Sequence, residues 1–207
     1  MENNIRTELQ KAFDNNSERE LLAVLKKYPQ LFYELYSRKY GPCPCFPEVD
    51  FGGKLRCDFC WLNDNSDGPE WVLVEIEKPL MQCFNKNQEP TAELNHAIEQ
   101  VKSWERYFNE NPLEKKRIFG AVKKFRFVVV AGSKEEWSKE YAVKWRWQNN
   151  NETKYEVRTS DVFWRSLDII EKNENAREGF EIEMWKPSQL EEFYKSRELD
   201  QHYHWYT

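Results

Sequence analysis

Three acidic residues occupy spacings that would bring their carboxylates together. Glu75 and Glu77 are two residues apart in the extended run from Trp71 to Lys78. Side chains on a strand alternate between its faces, so both acids project from the same side. A second strand pattern, from Lys54 to Leu62, carries Asp58. If the two strands pair as a hairpin, Asp58 lies across from one of the two glutamates. Carboxylates this close repel one another unless a proton or a cation lies between them.

The chemistry of such a cluster would be that of an oxygen-liganded metal ion. Carboxylate oxygens suit a hard cation such as Mg²⁺ or Mn²⁺. Held by Asp58, Glu75 and Glu77, this cation would polarise a phosphodiester and lower the pKa of an attacking water. The simpler interpretation is that the three acids are solvated charges on an exposed sheet face. Pro79 favours the metal site, because it ends the strand directly after the acids, where catalytic side chains often lie.

A helix predicted from Thr91 to about Asn109 has two distinct faces. Its apolar positions recur at helical spacing and would face the core: Leu94, Ala97, Ile98, Val101 and Phe108. A second stripe holds polar residues at spacings of four, three and four: His96, Gln100, Ser103 and Tyr107. Residues at these spacings share one helix face. Beside the carboxylates this stripe could orient water or contact a phosphate, whereas alone it indicates only a wet surface.

The remaining segments alternate between helical and extended patterns. Further helices are expected near the start, from Ser17, from Ser133 and over residues 161–171, and further strands over residues 125–131 and 155–158. The segment Gly41 to Pro47 contains three prolines and is predicted to be a loop. Alternation of this kind predicts an α/β fold, a mixed β-sheet flanked by α-helices.

Size and composition restrict the class of protein. A chain of 207 residues can bury one substantial core, so residues 1–207 are expected to form a single domain. Residues 1–16 would be a leading helix, and residues 175–207 an aromatic C-terminal extension. A homo-oligomer is expected, and under the alternative of an assembly module the aromatic tail would pair the subunits. No apolar stretch approaches the roughly 20 residues that span a bilayer. Five cysteines without framework spacing argue against a secreted scaffold, so a cytoplasmic protein with no membrane segment is expected.

Basic and aromatic residues offer weaker signals of nucleic-acid binding. The net charge of −5 does not favour a polyanion partner, but basic residues crowd one short stretch. The candidates for binding a phosphate backbone are Lys115, Lys116, Lys123 and Lys124. A solvated face is the alternative interpretation of this stretch. Trp145 and Trp147 could stack on bases, although most of the nine tryptophans are expected in the core.

Four cysteines superficially form a zinc-binding set: Cys43, Cys45, Cys57 and Cys60. Zinc sites of this kind need a tight turn between paired cysteines. Within a regular strand, Cys57 and Cys60 would instead point to opposite faces. Small buried core residues are therefore the favoured interpretation, and structural zinc stays an alternative.

The residues around the carboxylates resemble a known family. Asp58, the segment Glu75-Ile-Glu-Lys-Pro79 and the segment Leu94–Val101 with Trp104 are similar to the nuclease domain of the Shedu antiphage defence proteins. This family is a branch of the PD-(D/E)xK superfamily, and the similarity extends over about residues 17–131. It implies a restriction-endonuclease-like fold and a metal-dependent DNA endonuclease or nickase of bacterial antiphage defence. The cofactor would be Mg²⁺ or Mn²⁺, and the partner double-stranded phage or plasmid DNA.

The resemblance also implies roles for individual residues. In the superfamily an Asp and a Glu bind metal, a Lys two residues after that Glu assists the attacking water, and a Gln on the next helix supports the site. These metal-binding and supporting roles fall on Asp58, Glu75 and Gln100. The residue at the lysine position is Glu77, as in some restriction endonucleases of the superfamily, so it would be a third ligand or a general base. Lys78 would take the lysine's role only if the strand kinks.

Two questions stay open at this point. The departure at Glu77 leaves a second hypothesis, a catalytically weakened nuclease fold that acts as a nucleic-acid-binding, protein-binding or assembly module. A family acidic residue on the first helix would fall on Glu18 or Glu20. Ser17 and Glu20 have the spacing of a capping box, so Glu20 is expected to cap the helix.

Overall fold

The computed structural model describes residues 2–37, 41–65, 68–173 and 180–196. Within these ranges it contains one sheet with the strands β1 (Gly41–Phe51), β2 (Leu55–Asn65), β3 (Gly68–Ile76), β4 (Lys124–Val130), β5 (Tyr155–Arg158) and β6 (Phe180–Met184). Their order across the sheet is β5-β4-β3-β2-β1-β6. The sheet is mixed, because β1, β2 and β3 are antiparallel neighbours whereas β4 and β5 run parallel to β3 and β6 runs parallel to β1.

Helices connect the strands and cover both faces of the sheet. They are α1 (Glu2–Asp14), α2 (Glu18–Lys27), α3 (Ala92–Glu110), α4 (Pro112–Phe119), α5 (Lys134–Trp137), α6 (Glu140–Glu152), α7 (Val162–Lys172) and α8 (Leu190–Ser196). Short 3₁₀ turns occupy Pro29–Phe32 and Pro187–Gln189. The parallel strands β3, β4 and β5 need crossover connections, which the helices α3 to α6 supply. The predicted α/β fold, a mixed sheet flanked by helices, is confirmed.

Two buried clusters fill the space between the sheet and its helices. One contains residues of α3, α4 and α8 and includes Trp71, Trp104 and Phe119. The other contains residues of α1, α2 and α7 and includes Trp61 and Phe163. Alternation along β3 assigns Leu73 to the first cluster and Val74 to the second. Glu75 and Glu77 follow the odd-numbered positions, so they project toward α3.

The prediction that residues 41–47 form a loop is wrong. The segment is the first half of β1, and it pairs with β6 over residues 41–45 and with β2 only from Phe46 onward. The carbonyl of Cys45 accepts a hydrogen bond from Trp185, so the odd positions of this half point toward β6. Pro42 and Pro44 occupy the even positions, whose missing N–H groups face the side without a paired strand.

Other boundaries differ from the sequence prediction in smaller ways. The helix predicted from Ser133 is divided into α5 and α6, and α4 was not predicted. The predicted C-terminal extension supplies β6 and α8 to the fold. The aromatic tail with His202 and His204, which is expected to pair subunits, lies outside the described residues. In the described part of the chain, no helix is long and apolar enough to cross a membrane.

Candidate functional site

The predicted acids line one cavity at the end of β3. The cavity has a volume of about 770 Å³ and lies between the β2–β3 hairpin, the start of α2 and the polar face of α3. It is lined by Glu18, Asp58, Glu75, Glu77, Gln100 and Ser103, among others. The structure therefore brings Asp58, Glu75, Glu77 and Gln100 together from separate elements. We refer to this space as the carboxylate cavity.

The hairpin register sets Asp58 against Glu75. The two strands pair with Phe59 opposite Val74. Continuing this antiparallel register by one residue brings Asp58 opposite Glu75. The Asp58 carboxylate also accepts a hydrogen bond from the backbone N–H of Ile76, with 2.8 Å between Oδ2 and N. This bond holds one oxygen of Asp58 against the end of β3 and leaves Oδ1 toward the cavity side.

Asp58 lies where the regular alternation of β2 is interrupted. Ladder pairs between β1 and β2 exist on both sides of Glu48 and Asp58 but not at them. Glu48 has a φ of +50°, in the left-handed region that few non-glycine residues adopt. Cys57 and Cys60 belong to the same buried cluster, although residues three apart on a regular strand would lie on opposite faces. The prediction that these two cysteines point to opposite faces is therefore wrong.

Glu75 is the most deeply buried of the three acids, with an exposed fraction of 7%. Gln100 on α3 donates a hydrogen bond from Nε2 to Oε1 of Glu75, at 2.5 Å. The other oxygen, Oε2, is buried and has no hydrogen-bond partner within the described residues. A buried carboxylate oxygen without a donor is destabilising unless positive charge reaches it. This oxygen is the strongest single indication that the cavity receives a cation.

Glu77 and the neighbouring Lys78 take different directions. The backbone N–H of Glu77 donates to the carbonyl of Val130 at 2.9 Å, which continues the β3–β4 pairing past the end of β3. Glu77 lines the carboxylate cavity. Lys78 is exposed, and its Nζ lies 3.7 Å from the carboxylate of Glu93 at the start of α3. The position of the usual superfamily lysine is thus held by Glu77, and Lys78 is turned toward a different partner.

Burial and mutual repulsion raise the pKa of all three acids. Burial is the largest cause in each case. It raises the pKa of Asp58 to about 6, with the charge of Glu18 contributing. It raises the pKa of Glu75 to about 10, with Asp58 and then Glu77 contributing. It raises the pKa of Glu77 to about 7, with Glu18 and Asp58 contributing. The cluster therefore retains protons at neutral pH unless a cation replaces them.

The donor set fits a divalent cation that takes only part of its coordination from the protein. Among the residues described, no three or more Asp, Glu, His or Cys side chains are already arranged to hold a metal ion. Asp58 and Glu75 each have one oxygen engaged by Ile76 or Gln100 and one oxygen left over. Mg²⁺ commonly takes one or two carboxylates and completes its shell with water and substrate phosphate. Asp58 and Glu75 match that pattern, with Glu77 nearby as a third acid.

The start of α2 distinguishes Glu18 from Glu20. Ser17 caps the helix, because its Oγ accepts a hydrogen bond from the N–H of Glu20 at 3.2 Å. The reciprocal half of the expected capping box is absent, since the N–H of Ser17 donates to Ala12 and the Glu20 side chain accepts from Asn15. Glu18 lines the carboxylate cavity instead. By position, Glu18 is the acidic residue of the first helix that belongs with the site.

Three basic residues of the cavity were missed as site residues by sequence reasoning. Lys54, Arg56 and His96 line it together with the acids. Lys54 follows a turn in which Gly52 has a φ of +70°, and a Cβ at Gly52 would collide with the hydroxyl of Tyr107 on α3. This close approach places the turn between β1 and β2 against α3. No spacing along β2 identifies Lys54 and Arg56, because the alternation is interrupted between Cys57 and Asp58.

Of the predicted nucleic-acid-binding lysines, Lys123 and Lys124 lie toward the other end of the sheet. Lys115 and Lys116 belong to α4, and Lys123 directly precedes β4. Lys124 begins β4 and pairs with Glu70 at 2.8 Å, whereas Glu75 lies alongside Val129. Val129 is five positions after Lys124. At about 3.3 Å per residue, the two lie about 17 Å apart along the strand. The structure does not bring these lysines to the cavity, and their role stays a prediction.

All five cysteines are buried thiols. They pack in the two clusters on either side of the sheet. Burial raises the pKa of the Cys83 thiol to about 12 and that of Cys45 further still. Thiols in this state behave as small apolar core groups, which agrees with the favoured interpretation of the cysteine spacing.

The fold and the cavity together define the class of protein. An antiparallel hairpin carries Asp58 and the Glu75-x-Glu77 pair, and the following helix supplies Gln100, as in the PD-(D/E)xK pattern. The chain belongs to the Shedu family: the model described as Shedu protein SduA, C-terminal, matches residues 15–163. This range includes every residue that lines the carboxylate cavity. The resemblance expected from the sequence is confirmed.

The chain was also compared with solved structures and with curated proteins. A solved structure titled "Structure of restriction endonuclease FokI" is similar over 83% of this chain, with 17% sequence identity and a TM-score of 0.43. The similar region spans only 29% of that chain. No curated protein matches the sequence.

Proposed function

We propose that this domain is a metal-dependent DNA endonuclease or nickase that serves bacterial defence against phage. The proposal is carried by one observation, the meeting of Asp58, Glu75 and Glu77 in a single cavity where a buried Glu75 oxygen lacks a hydrogen-bond donor. Membership of the Shedu family supports a defence nuclease-like role.

Asp58 and Glu75 would hold Mg²⁺ or Mn²⁺ through the oxygens that Ile76 and Gln100 leave available. When bound, the cation would polarise the scissile phosphodiester and lower the pKa of the attacking water. Gln100 would orient Glu75, because its hydrogen bond fixes one carboxylate oxygen and leaves the other without a donor. The N–H of Ile76 does the same for Asp58.

Glu77 is the residue proposed to take the proton from the attacking water. It projects from the same strand face as Glu75 and lines the cavity without a hydrogen bond from the helix. Lys54 and Arg56, on the hairpin, would offset the repulsion between the acids and an approaching phosphate. Of these cations, Arg56 also pairs with Glu48 at 3.4 Å, as Lys78 does with Glu93 at 3.7 Å, so Lys54 is the main source of positive charge at the cavity.

The test is cleavage of supercoiled plasmid by the purified protein with Mn²⁺ and with EDTA. Conversion to the nicked or linear form is expected only with the metal. Glu75→Gln keeps the shape of the side chain but removes its charge, and it is expected to lower the rate at least about 100-fold, the scale of one catalytic group. Glu70→Gln is the matched control, because it makes the same change on β3 at the other end of the strand.

Either of two results would contradict this assignment. Cleavage of equal rate in EDTA would exclude the metal, and a fully active Glu75→Gln would place the chemistry elsewhere. A wild-type protein that binds DNA but leaves the plasmid supercoiled with Mn²⁺ and with Mg²⁺ would favour the weakened-nuclease alternative.

A further inference from the structure

A second cavity, of about 500 Å³, lies along the outer edge of β5 between α6 and α7. Its lining includes Arg146, Arg158 and Arg165, together with Trp147 and Asn150. Among the described residues that line it there is no Asp or Glu. We refer to it as the arginine groove.

The positive charge of the groove is only partly neutralised. Arg158 pairs with Glu156, which is also held by Arg126 at 2.7 Å. Arg165 pairs with Glu34 at 2.8 Å. Two of the three arginines that line the groove, Arg158 and Arg165, therefore have a carboxylate partner, and Arg158 shares its partner with Arg126, which lies outside the lining.

Arg146 has no carboxylate partner among the residues described. Its guanidinium lies 5.4 Å from the centre of the Trp137 ring, which fixes its direction. Burial, and then the charges of Arg158 and Arg165, lower the pKa of Arg146. A half-buried guanidinium beside two further cations is the arrangement that an anion stabilises, and Arg presents paired N–H donors that match phosphate geometry.

Trp147 distinguishes the groove from an ordinary basic surface. Its exposed fraction is 68%, whereas Trp61, Trp71, Trp104 and Trp137 are fully buried. It stands one residue after Arg146 on α6, and Arg158 lines the same groove. An exposed aromatic ring beside arginines is a stacking platform for an unpaired base, because every base offers a π face.

The edge of β5 is closed to a pairing peptide. The side chain of Asn150 donates to the carbonyl of Val157 at 3.1 Å and accepts from its N–H at 2.8 Å. Asn149 donates to the carbonyl of Tyr155 at 2.7 Å. These amides occupy the backbone groups that an added strand would need, so addition of a peptide strand is disfavoured.

The groove lies at the same end of the sheet as the carboxylate cavity. Ile76, Val130 and Arg158 are neighbours across three adjacent strands. At about 4.8 Å per strand, the backbones of Ile76 and Arg158 are roughly 10 Å apart. Ser160 ties the strand ends together, since its Oγ lies 2.7 Å from the carbonyl of Pro79 and 2.8 Å from that of Gly132.

We propose that the arginine groove binds a single-stranded segment of nucleic acid, with a backbone phosphate on Arg146 and Arg158 and a base stacked on Trp147. The inference rests on the proposed function for its biological purpose, which is to hold an unpaired stretch of the strand that the carboxylate cavity would cut. Binding itself needs neither metal nor cleavage.

The experiment is fluorescence anisotropy in EDTA with labelled oligothymidylate of about 15 nucleotides, a length within the site sizes of single-strand binders. Arg146→Gln with Arg158→Gln is expected to weaken binding at least about tenfold, and Trp147→Ala about fivefold, the low end of base stacking on an aromatic ring. Lys144→Gln is the matched control, because it removes one charge from the exposed surface of α6 outside the groove. It is expected to change binding less than about twofold.

Urea unfolding checks that each variant is folded, and Arg146→Lys is a second variant that keeps the charge and aliphatic stem but removes the planar fork.

The outcomes separate this proposal from the proposed nuclease. Arginine-dependent and Trp147-dependent binding in a protein that never nicks plasmid would support the groove and overturn the nuclease. Equal binding by folded wild type and variants would overturn the groove whatever the plasmid assay shows. Binding of a blunt-ended duplex as tightly as of the oligothymidylate, or displacement of the oligonucleotide by polyglutamate at equal charge, would also overturn it, because neither competitor offers an unpaired base to Trp147.

Discussion

The carboxylate cavity and the arginine groove are opposite in charge but similar in one physical respect. In the first, burial and neighbouring acids raise the pKa of Glu75. In the second, burial and neighbouring cations lower the pKa of Arg146. Each holds like charges together without enough partners of the opposite sign. Lys124 and Glu70 show the contrasting case, a charge pair in which the exposed lysine neutralises the buried carboxylate. A group of like charges with too few opposite charges beside it therefore identifies both candidate sites better than the number of charged residues does.

The two regions also differ in what a ligand must supply. The carboxylate cavity contains a buried oxygen without a donor, so it requires a small cation that enters the cavity. The arginine groove has an exposed aromatic ring and half-buried guanidinium groups, so it suits an extended polyanion on the surface. Both surfaces lie at one end of the sheet, and a single nucleic-acid strand with its metal ion offers both kinds of charge.

The largest effect is expected at the residue that replaces the superfamily lysine. Glu77→Gln should lower the rate of plasmid nicking at least about 100-fold, because it removes the proposed proton acceptor from the cavity. Lys78→Ala should change the rate less than about twofold, because its cation pairs with Glu93 at the surface and such pairs contribute little. Initial rates of nicking at saturating Mn²⁺ measure both.

The reverse result would assign the chemistry differently. Loss of nicking in Lys78→Ala with an active Glu77→Gln would mean that the strand kinks during catalysis and that Lys78 does the usual work. Glu77→Lys restores the superfamily residue, and retained or increased nicking in that variant is expected if a cation there stabilises the developing charge.

The contrast between the two regions also explains what could be predicted from the sequence. The carboxylate cavity depends on local periodicity: a spacing of two positions from Glu75 to Glu77, a hairpin to Asp58, and a helical stripe that includes Gln100. Each signal lies within one element or between neighbouring elements, so the sequence contains it directly. The arginine groove draws Arg146, Arg158 and Arg165 from three elements whose packing decides their proximity. No spacing along the chain marks it.

The fold shows the same limit at β1. The three prolines within residues 41–47 predict a loop rather than a strand, because proline usually ends or avoids a strand. Pro42 and Pro44 are tolerated only because β1 changes its pairing partner at Phe46, a property of the whole sheet. The interruption at Glu48 and Asp58 is also invisible in the sequence, since it depends on how β1 and β2 meet.

A smaller effect is expected on stability, where the acidic cavity should make the metal-free protein less stable as pH rises. The folded-state pKa values of Asp58 and Glu77, about 6 and about 7, lie above those of unfolded chains. The folded state therefore binds more protons, and this stability is present below about pH 4 and lost as pH rises through 6 and 7. In EDTA the free energy of unfolding should fall by at least about 2 kcal/mol between pH 5 and pH 8, given about 1.4 kcal/mol per pKa unit.

Urea unfolding at the two pH values measures this difference. Glu75→Gln should reduce the fall, because it removes a carboxyl group that keeps its proton in the folded state and loses it in the unfolded chain. Mn²⁺ added at pH 8 should restore stability to the wild type. Ion-paired acids such as Glu105 have a lowered pKa, so their contributions change below this window. Stability that rises from pH 5 to pH 8, or no response to Mn²⁺, would contradict the cation site.

The smallest effect should separate the two basic surfaces from each other. If the arginine groove contacts one or two phosphates of a single strand, replacing Arg146 and Arg158 with Gln should make the log–log salt slope of oligothymidylate binding shallower by about 0.7 for each lost contact. The lysine stretch is predicted to follow a duplex backbone, where each contact contributes about 0.9 to the slope. Replacing Lys115 and Lys116 with Gln should therefore act on duplex binding and leave the single-strand slope unchanged. Lys124→Gln should matter least, because its charge already pairs with Glu70.

Titrations of both DNA forms from about 50 to 200 mM salt provide the slopes. A duplex slope that does not respond to the lysine changes would mean that this stretch is a solvated face, and a single-strand slope that responds to them would show that the lysines, rather than the groove, hold the strand.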